Sequence, residues 1–183
     1  MPFSFIDYEL SGLVLVEQKT FDDSRGYFKE TYQYDAFAEH GIQDRFVQDN
    51  LSVSARDVLR GLHFQLPPKA QAKLVSVIKG TVLDVVVDLR RGSSTYRKWA
   101  AIELSAEKHQ ALYIPAGFAH GFLALENDTY VSYKASAPYS PEHERGIRWN
   151  DPDIGIVWPI ASPEVSEKDS ALPFIDELPD TLF

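Results

Sequence analysis

Residues 111–125 read ALYIPAGFAHGFLAL. Two apolar runs, ALYI and FAHGFLAL, flank Pro115-Ala116-Gly117, and each is too short for a helix, so the stretch predicts strand, tight turn and strand. The same rhythm continues outward. Strand candidates recur at 13–16, 46–53, 58–65, 73–78, 81–89 and 99–104 before it and at 129–136 after it, punctuated by Lys79-Gly80, Arg91-Gly92-Ser93 and Glu126-Asn127-Asp128. An all-β sandwich or barrel is the expected class. Helix is scarce: Asp35 is placed to cap the short segment AFAEH ending at Gly41, and Ser105-Ala106-Glu107 reads as a single turn. After residue 137 the chain turns rich in Pro, acid and Trp, and it is expected to wrap the barrel in extended and turn conformations.

With 183 residues, 44% hydrophobic and 25% charged, the chain fits one domain over 1–183 that buries roughly 70% of the surface of its unfolded form. Cysteine is absent, which removes disulfides, thiolate metal sites and cysteine nucleophiles and agrees with a cytoplasmic location. Lys and Arg number 18 against 27 Asp and Glu, a net charge of −9. Nucleic acid is therefore not an expected partner, whereas a small anion can bind where a few basic residues converge in a cleft. MPFSFIDYEL carries Asp7 and Glu9 where an export signal is apolar. No apolar run reaches the ~18 residues that span a bilayer, so no membrane contact is expected. The sequons at Asn50 and Asn127 read as chance.

VLRGLHFQ, 58–65, sets Leu59, Gly61, His63 and Gln65 on one face of a strand and Arg60 on the other. Polar groups in so apolar a strand are either satisfied core groups or pocket lining. A bulge at Gly61 would bring Arg60 and His63 to one site. In IPAGFAHGF, 114–122, the P-x-G-x-x-H spacing gives a turn that aims His120 along the next strand. Alternation in 129–136 puts Val131, Tyr133 and Ala135 on the inward face, and a hairpin pivoting near Asn127 sets Tyr133 roughly opposite Gly121. In 81–89, Leu83, Val85, Val87 and Leu89 line one face and Asp84 and Asp88 the other, the pattern of a half-buried strand.

Taken singly, the remaining polar residues have ordinary readings. Lys73 faces the same way as Val75 and Val77 and reads as a snorkelling edge residue. Arg25 reads as a salt-bridged loop residue, Gln48 and Asn50 as a polar pair on one face, and His40, His109 and His143 as surface groups. Asp169 in VSEKDS is solvated unless it folds back onto a histidine, where a carboxylate fixes the tautomer and raises the basicity of the other ring nitrogen.

Together, FDDSRGYFKE, FVQDN, VLRGLHFQ, QAKLV, VVVDLRRGS, IPAGFAHGF, YSPEHE, WNDPDIGI and SEKD closely resemble, in the same order over about residues 10–170, the dTDP-4-dehydrorhamnose 3,5-epimerases, metal-independent cupins. IPAGFAHGF resembles the second cupin motif, and Gly61, His63 and Gln65 a degraded first motif in which Gln65 replaces a metal-ligating histidine. Ser24 and Ala72 depart mildly from the family pattern, and Tyr139 stands at a position that is aromatic but variable. The resemblance implies a cupin-type jelly-roll barrel and a homodimer with swapped N-terminal strands. It also implies inversion at C3 and C5 of a dTDP-linked 4-keto-6-deoxyhexose, without cofactor. A metal is not expected either, since His63 and His120 alone are too few ligands for a divalent ion.

By the same resemblance, His63 is the base, paired with Asp169, Lys73 stabilises the enolate oxygen, and Tyr133 returns a proton from the opposite face. Arg25, Glu30, Gln48, Asn50, Arg60 and Glu144 match nucleotide contacts, Phe21 and Tyr139 stacking surfaces for thymine, and His120 and Lys168 sugar contacts. Elementary chemistry agrees. A proton beside a ketone becomes removable when a fixed ammonium meets the developing enolate charge. Imidazole is a competent base near neutrality, while a phenol stays protonated there and can donate. The alternatives are a single-centre epimerase or a 3,4-ketoisomerase on a similar nucleotide sugar, a metal-dependent cupin oxygenase disfavoured by Gln65, and a non-catalytic sugar-nucleotide-binding cupin.

Overall fold

Consecutive strands of this chain seldom pair with one another. The computed structural model describes residues 2–179 and 183. Its strands are β1 (Phe3–Asp7), β2 (Val14–Gln18), β3 (Phe21–Asp23), β4 (Gly26–Phe28), β5 (Gln48–Ser54), β6 (Val58–Gln65), β7 (Lys73–Lys79), β8 (Thr81–Asp88), β9 (Trp99–Ser105), β10 (Gln110–Ile114), β11 (Phe118–Ala124), β12 (Thr129–Ala135), β13 (Glu144–Gly146) and β14 (Glu164–Val165). Two short helices, α1 (Tyr34–Glu39) and α2 (Glu167–Ser170), complete it with a 3-10 turn at Ile175–Glu177. One sheet runs β1-β2-β10-β7-β12-β5 and the other β13-β6-β11-β8-β9, with β14 beside β6 and β3–β4 as a separate hairpin. From β5 to β13 the chain changes sheet at every step except β8/β9, as expected of an antiparallel jelly roll.

Alternation explains the packing. Leu13, Leu15, Val75, Val77, Leu112, Ile114 and Val131 of the first sheet meet Val82, Val86, Ile102, Leu104, Phe118 and Phe122 of the second in one core. The other face of the first sheet puts Val14, Val16, Leu74, Ala111 and Tyr113 against Phe37 of α1. The outer face of the second sheet lies under the C-terminal wrap, where Ile147, Ile154 and Ile175 cover Leu62, Phe64, Val85 and Val87. Both faces of β8 are therefore buried, Asp84 and Asp88 included, and the half-buried reading of that strand is corrected.

Three further expectations change. The segment 115–117 is a corner that carries the chain from the first sheet to the second. There Gly117 takes φ +93, and a Cβ would stand 2.4 Å from Arg90 Cγ. β11 and β12 form no hairpin: Tyr133 pairs with Asn50 and Val75 in the first sheet, while Gly121 pairs with Val85 in the second. α1 is capped by Gln33, whose Oε1 accepts from the Ala36 N–H at 2.7 Å, and not by Asp35. Residues 14–16 lie on β2, which is flanked by β1 and β10 of the same chain, and β1 forms the edge of the first sheet.

Candidate active site

The site exists because β6 is irregular. Opposite β11, His63 pairs with His120 and Arg60 with Phe122, so Gly61 and Leu62 together face Gly121. This is the bulge expected at Gly61. Gly61 has φ +120, and a Cβ there would stand 2.6 Å from Gly121 Cα and 2.8 Å from His120 O, so backbone approaches backbone where no side chain fits. The extra residue offsets the alternation. Arg60 and His63 consequently line one cavity of about 490 Å³ with Ser52, Lys73, His120, Phe122, Tyr133, Ser166 and Asp169, a volume suited to a small ligand.

Asp169 does fold back onto a histidine. Ser166 caps α2 by accepting from the Asp169 N–H at 3.1 Å, and this turns the carboxylate inward to 4% exposure. Asp169 Oδ1 lies 2.7 Å from His63 Nε2, and Oδ2 accepts from the Gly61 N–H at 3.0 Å. Burial opposes the charge, but the bonds from His63 and Gly61 outweigh it and hold the carboxyl below its ordinary value. With Nε2–H donating to Asp169, His63 keeps its lone pair on Nδ1, the nitrogen left to act as base.

Lys73 and Tyr133 come from the opposing sheet. Lys73 sits on central β7, opposite Ile114 and Ala135, and is no edge residue. Its Nζ donates to the His63 carbonyl at 3.2 Å. Burial pushes its pKa down to about 8 against the pull of Asp84 and Glu144. Burial likewise raises the Tyr133 phenol above its ordinary value, so it is protonated near neutrality. His63 and Tyr133 thus approach the cavity from different sheets, the arrangement needed to address two faces of one substrate.

A smaller cavity of about 110 Å³ continues from His63, Lys73 and Tyr133 to Gln71, Tyr139 and Glu144. Glu144 Oε2 receives Lys168 Nζ at 2.6 Å and the Tyr139 hydroxyl at 2.8 Å; burial opposes its charge, but these partners hold its pKa below the ordinary value. Gln48 donates to Asn50 Oδ1 at 2.9 Å and accepts from the Tyr139 N–H at 2.8 Å. Asn50 Nδ2 is buried without a partner, and Gln48, Asn50 and Lys168 stand behind the cavity walls and do not line them. Arg60 is tied by Nε to Ser54 Oγ and by Nη2 to the Val53 carbonyl, both at 3.0 Å.

Gln65, at the position of a cupin ligand, is used structurally. Its amide donates to the Lys69 and Pro138 carbonyls and accepts from the Ser140 N–H. Among the described residues, no three His, Asp or Glu side chains converge as metal ligands. Phe21, Arg25 and Glu30 line neither cavity. Phe21 and Arg25 lie exposed on the β3–β4 hairpin, Arg25 bonded to Asp23 at 2.6 Å. The sequence reading missed Ser52, Phe122 and Ser166 in the wall and Asp84 behind it. Asp84, fully buried, lies with one oxygen 2.9 Å from His120 Nε2. Its signal was an acid inside TVLDVVVD, where burial on both faces demands a partner.

A family model described as dTDP-4-dehydrorhamnose 3,5-epimerase matches residues 7–177. This chain belongs to that family. A dTDP-4-dehydrorhamnose 3,5-epimerase of Methanothermobacter thermautotrophicus is 51% identical over 170 residues, 91% of either chain. A crystal structure of the epimerase from Legionella pneumophila in complex with dTDP-4-keto-L-rhamnose superposes with TM-score 0.94 at 41% identity, covering 99% of this chain and 97% of that one. The enzyme of Bacillus anthracis, with TDP and pyrophosphate bound, gives TM-score 0.92 at 44% identity over 94% and 99%. The epimerase-family reading of the motifs and the jelly-roll expectation are both met.

Proposed function

We propose that this chain inverts C3 and C5 of dTDP-4-dehydro-6-deoxy-D-glucose to give dTDP-4-dehydro-L-rhamnose. The observation that carries the reading is the convergence on one cavity of a carboxylate-oriented histidine, a half-buried ammonium and a phenol from the opposing sheet. His63 Nδ1 takes the proton from the carbon beside the C4 ketone. The electron pair moves to the C4 oxygen, where the Lys73 ammonium stabilises it. Tyr133 delivers a proton to the other face, and solvent restores both groups before the second centre reacts. Gln48, Asn50, Arg60, His120, Tyr139, Glu144 and Lys168 hold the nucleotide and the sugar. No metal step is invoked, because Gln65 is committed to the loop at 138–140 and the cation at hand is Lys73.

The functional unit is a homodimer. Phe21, Arg25 and Glu30, assigned to the nucleotide, stand away from the cavity of their own chain, so a second copy has to bring them to it. Exposed Phe21, Tyr27 and Phe28 on the hairpin and Leu51, Val53 and Ile78 on the first sheet favour such association. One catalytic domain over 1–183, acting in the cytoplasm on a soluble nucleotide sugar, completes the reading. Among the described residues no helix is long and apolar enough to cross a membrane.

The test is incubation of chelator-treated protein with dTDP-4-keto-6-deoxyglucose in deuterated water, followed by proton NMR. Deuterium entering both C3 and C5 with inversion is expected. Exchange at one carbon alone identifies a single-centre epimerase, migration of the ketone a ketoisomerase, and no reaction a binding protein. Activity restored by only one divalent ion would overturn the metal-free part.

A further inference from the structure

His120 and Asp84 form a second histidine–carboxylate pair, and its geometry separates their task from that of His63. Asp84 on β8 lies diagonally across from His120 on β11, since Asp84 pairs with Phe122 and His120 with Val86. His120 Nε2 stands 2.9 Å from Asp84 Oδ2. Both side chains are buried, at 6% and 0% exposure. A carboxylate at that distance accepts from the ring, so the hydrogen sits on Nε2 and the lone pair on Nδ1. His120 also lines the cavity, which makes Nδ1 the nitrogen left for a ligand.

The surroundings keep that ring neutral. Burial lowers the His120 pKa; the Asp84 carboxylate opposes this, and the Lys73 ammonium and His63 add to the lowering. Glu144, from β13, acts on the same Lys73. A neutral ring with its lone pair toward the ligand accepts a hydrogen bond and repels negative charge. Such a group cannot steady an enolate oxygen. Lys73 Nζ has three hydrogens and one protein acceptor, the His63 carbonyl, so it retains donors for that oxygen.

Resting on the epimerase reading above, we propose that Asp84 is a positioning residue that fixes His120 as the Nε2–H form, so that Nδ1 reads a free hydroxyl of the sugar beside the reacting ketone and Lys73 alone meets the enolate. A 4-keto-6-deoxyhexose joined through C1 to a diphosphate offers two such hydroxyls, at C2 and C3. The pair is thus a specificity device and not a second base. Asp84 Oδ1, buried with no partner, makes the site sensitive to an amide. In Asp84→Asn the side chain either accepts from Nε2 and leaves its NH2 unpartnered, or turns to donate and forces the hydrogen onto Nδ1.

Two measurements test this. Two-bond proton–nitrogen spectra of protein carrying 15N-histidine, with His120 assigned by its absence in His120→Asn, are expected to show protonated Nε2 and bare Nδ1 from pH 6 to 8. A hydrogen on Nδ1 in the unsubstituted protein overturns the proposal, and this readout needs no substrate. Deuterium exchange at C5 is then compared for the 4-keto-6-deoxy substrate and its 2-deoxy and 3-deoxy analogues. One analogue is expected to lose roughly tenfold in kcat/KM, mostly in KM, the signature of uniform binding. That penalty is expected to shrink to about twofold in Asp84→Asn. Equal handling of all three sugars, or a penalty unchanged in Asp84→Asn, overturns it. Should Asp84→Asn not fold, the spectra and the analogue series with unsubstituted protein still decide. Absence of any exchange by that protein defeats the epimerase reading instead and leaves the spectra to judge the tautomer.

Discussion

At the scale of single residues, the groups proposed as base, acid and cation differ in environment. His63→Ala removes the proposed base for both carbons, so exchange at C3 and C5 should fall together by roughly 100-fold or more, while Asp169→Asn should lower both through loss of tautomer control. Exchange at the normal rate in His63→Ala would require a different base. In Tyr133→Phe the enolate still forms beside Lys73 and His63 can return a solvent deuteron to the original face. The ratio of exchange to inversion should rise, and a ratio equal to that of the unsubstituted protein would reduce Tyr133 to packing. Lys73 gives the pH dependence. The proposed mechanism needs its ammonium, whose pKa is depressed to about 8, so kcat/KM should decline as pH rises through about 8. A descending limb only near 10 would mean that burial is not felt. Because the folded state holds this proton less tightly than the unfolded chain, burying Lys73 costs stability at every pH below about 8, and the loss is recovered between 8 and 10.5. Lys73→Met should accordingly abolish exchange yet raise the unfolding free energy at pH 7 by on the order of 1–3 kcal/mol, read from urea denaturation.

Among elements, β6 is where fold and chemistry meet. Its pattern was readable, and its bounds coincide with those expected, because VLRGLHFQ is a short apolar run ending at turn residues. The bulge was readable as well, since glycine inside a strand marks a bulge or a close backbone approach. Gly61→Ala would press a Cβ to 2.6 Å from Gly121 Cα at φ +120. A loss of about 2–4 kcal/mol in urea denaturation is expected, with loss of exchange because Arg60 and His63 no longer share a wall. Wild-type stability in this variant would show that the bulge relaxes freely. The β3–β4 hairpin and β14 escaped sequence reading because FDD, GYF and EV are too short and too polar to alternate visibly.

For the whole molecule, the proposed dimer has a second copy completing each cavity. Light scattering should give about twice 20.7 kDa. If the hairpin serves the partner, Arg25→Ala and His63→Ala spoil different halves of one composite site. Mixing the two weakened proteins, with subunit exchange, should then restore roughly a quarter of normal exchange, since half the dimers are mixed and each regains one site. No recovery on mixing, with dimers demonstrably exchanged, would place Arg25 in its own chain's site or outside any site.

The β-rich class, the main strands, the turn glycines and the residue types at the site were legible in the sequence, because these follow from local periodicity and from motifs carried in short segments. The sequence could not say which strands become neighbours. β11 and β12 adjoin in sequence yet belong to different sheets, and that alone moved Tyr133 from a place beside His120 to the opposing wall. Tertiary structure also decided the state of the buried acids. Asp169 is distant from His63 in sequence and meets it only when the C-terminal wrap closes. Asp84 looks like a core irregularity until β8 lies beside β11. The physical reason is common to all three: strand pairing and charge compensation are long-range, so the partner of a side chain is fixed by how the sheets close and not by what stands next to it in the chain.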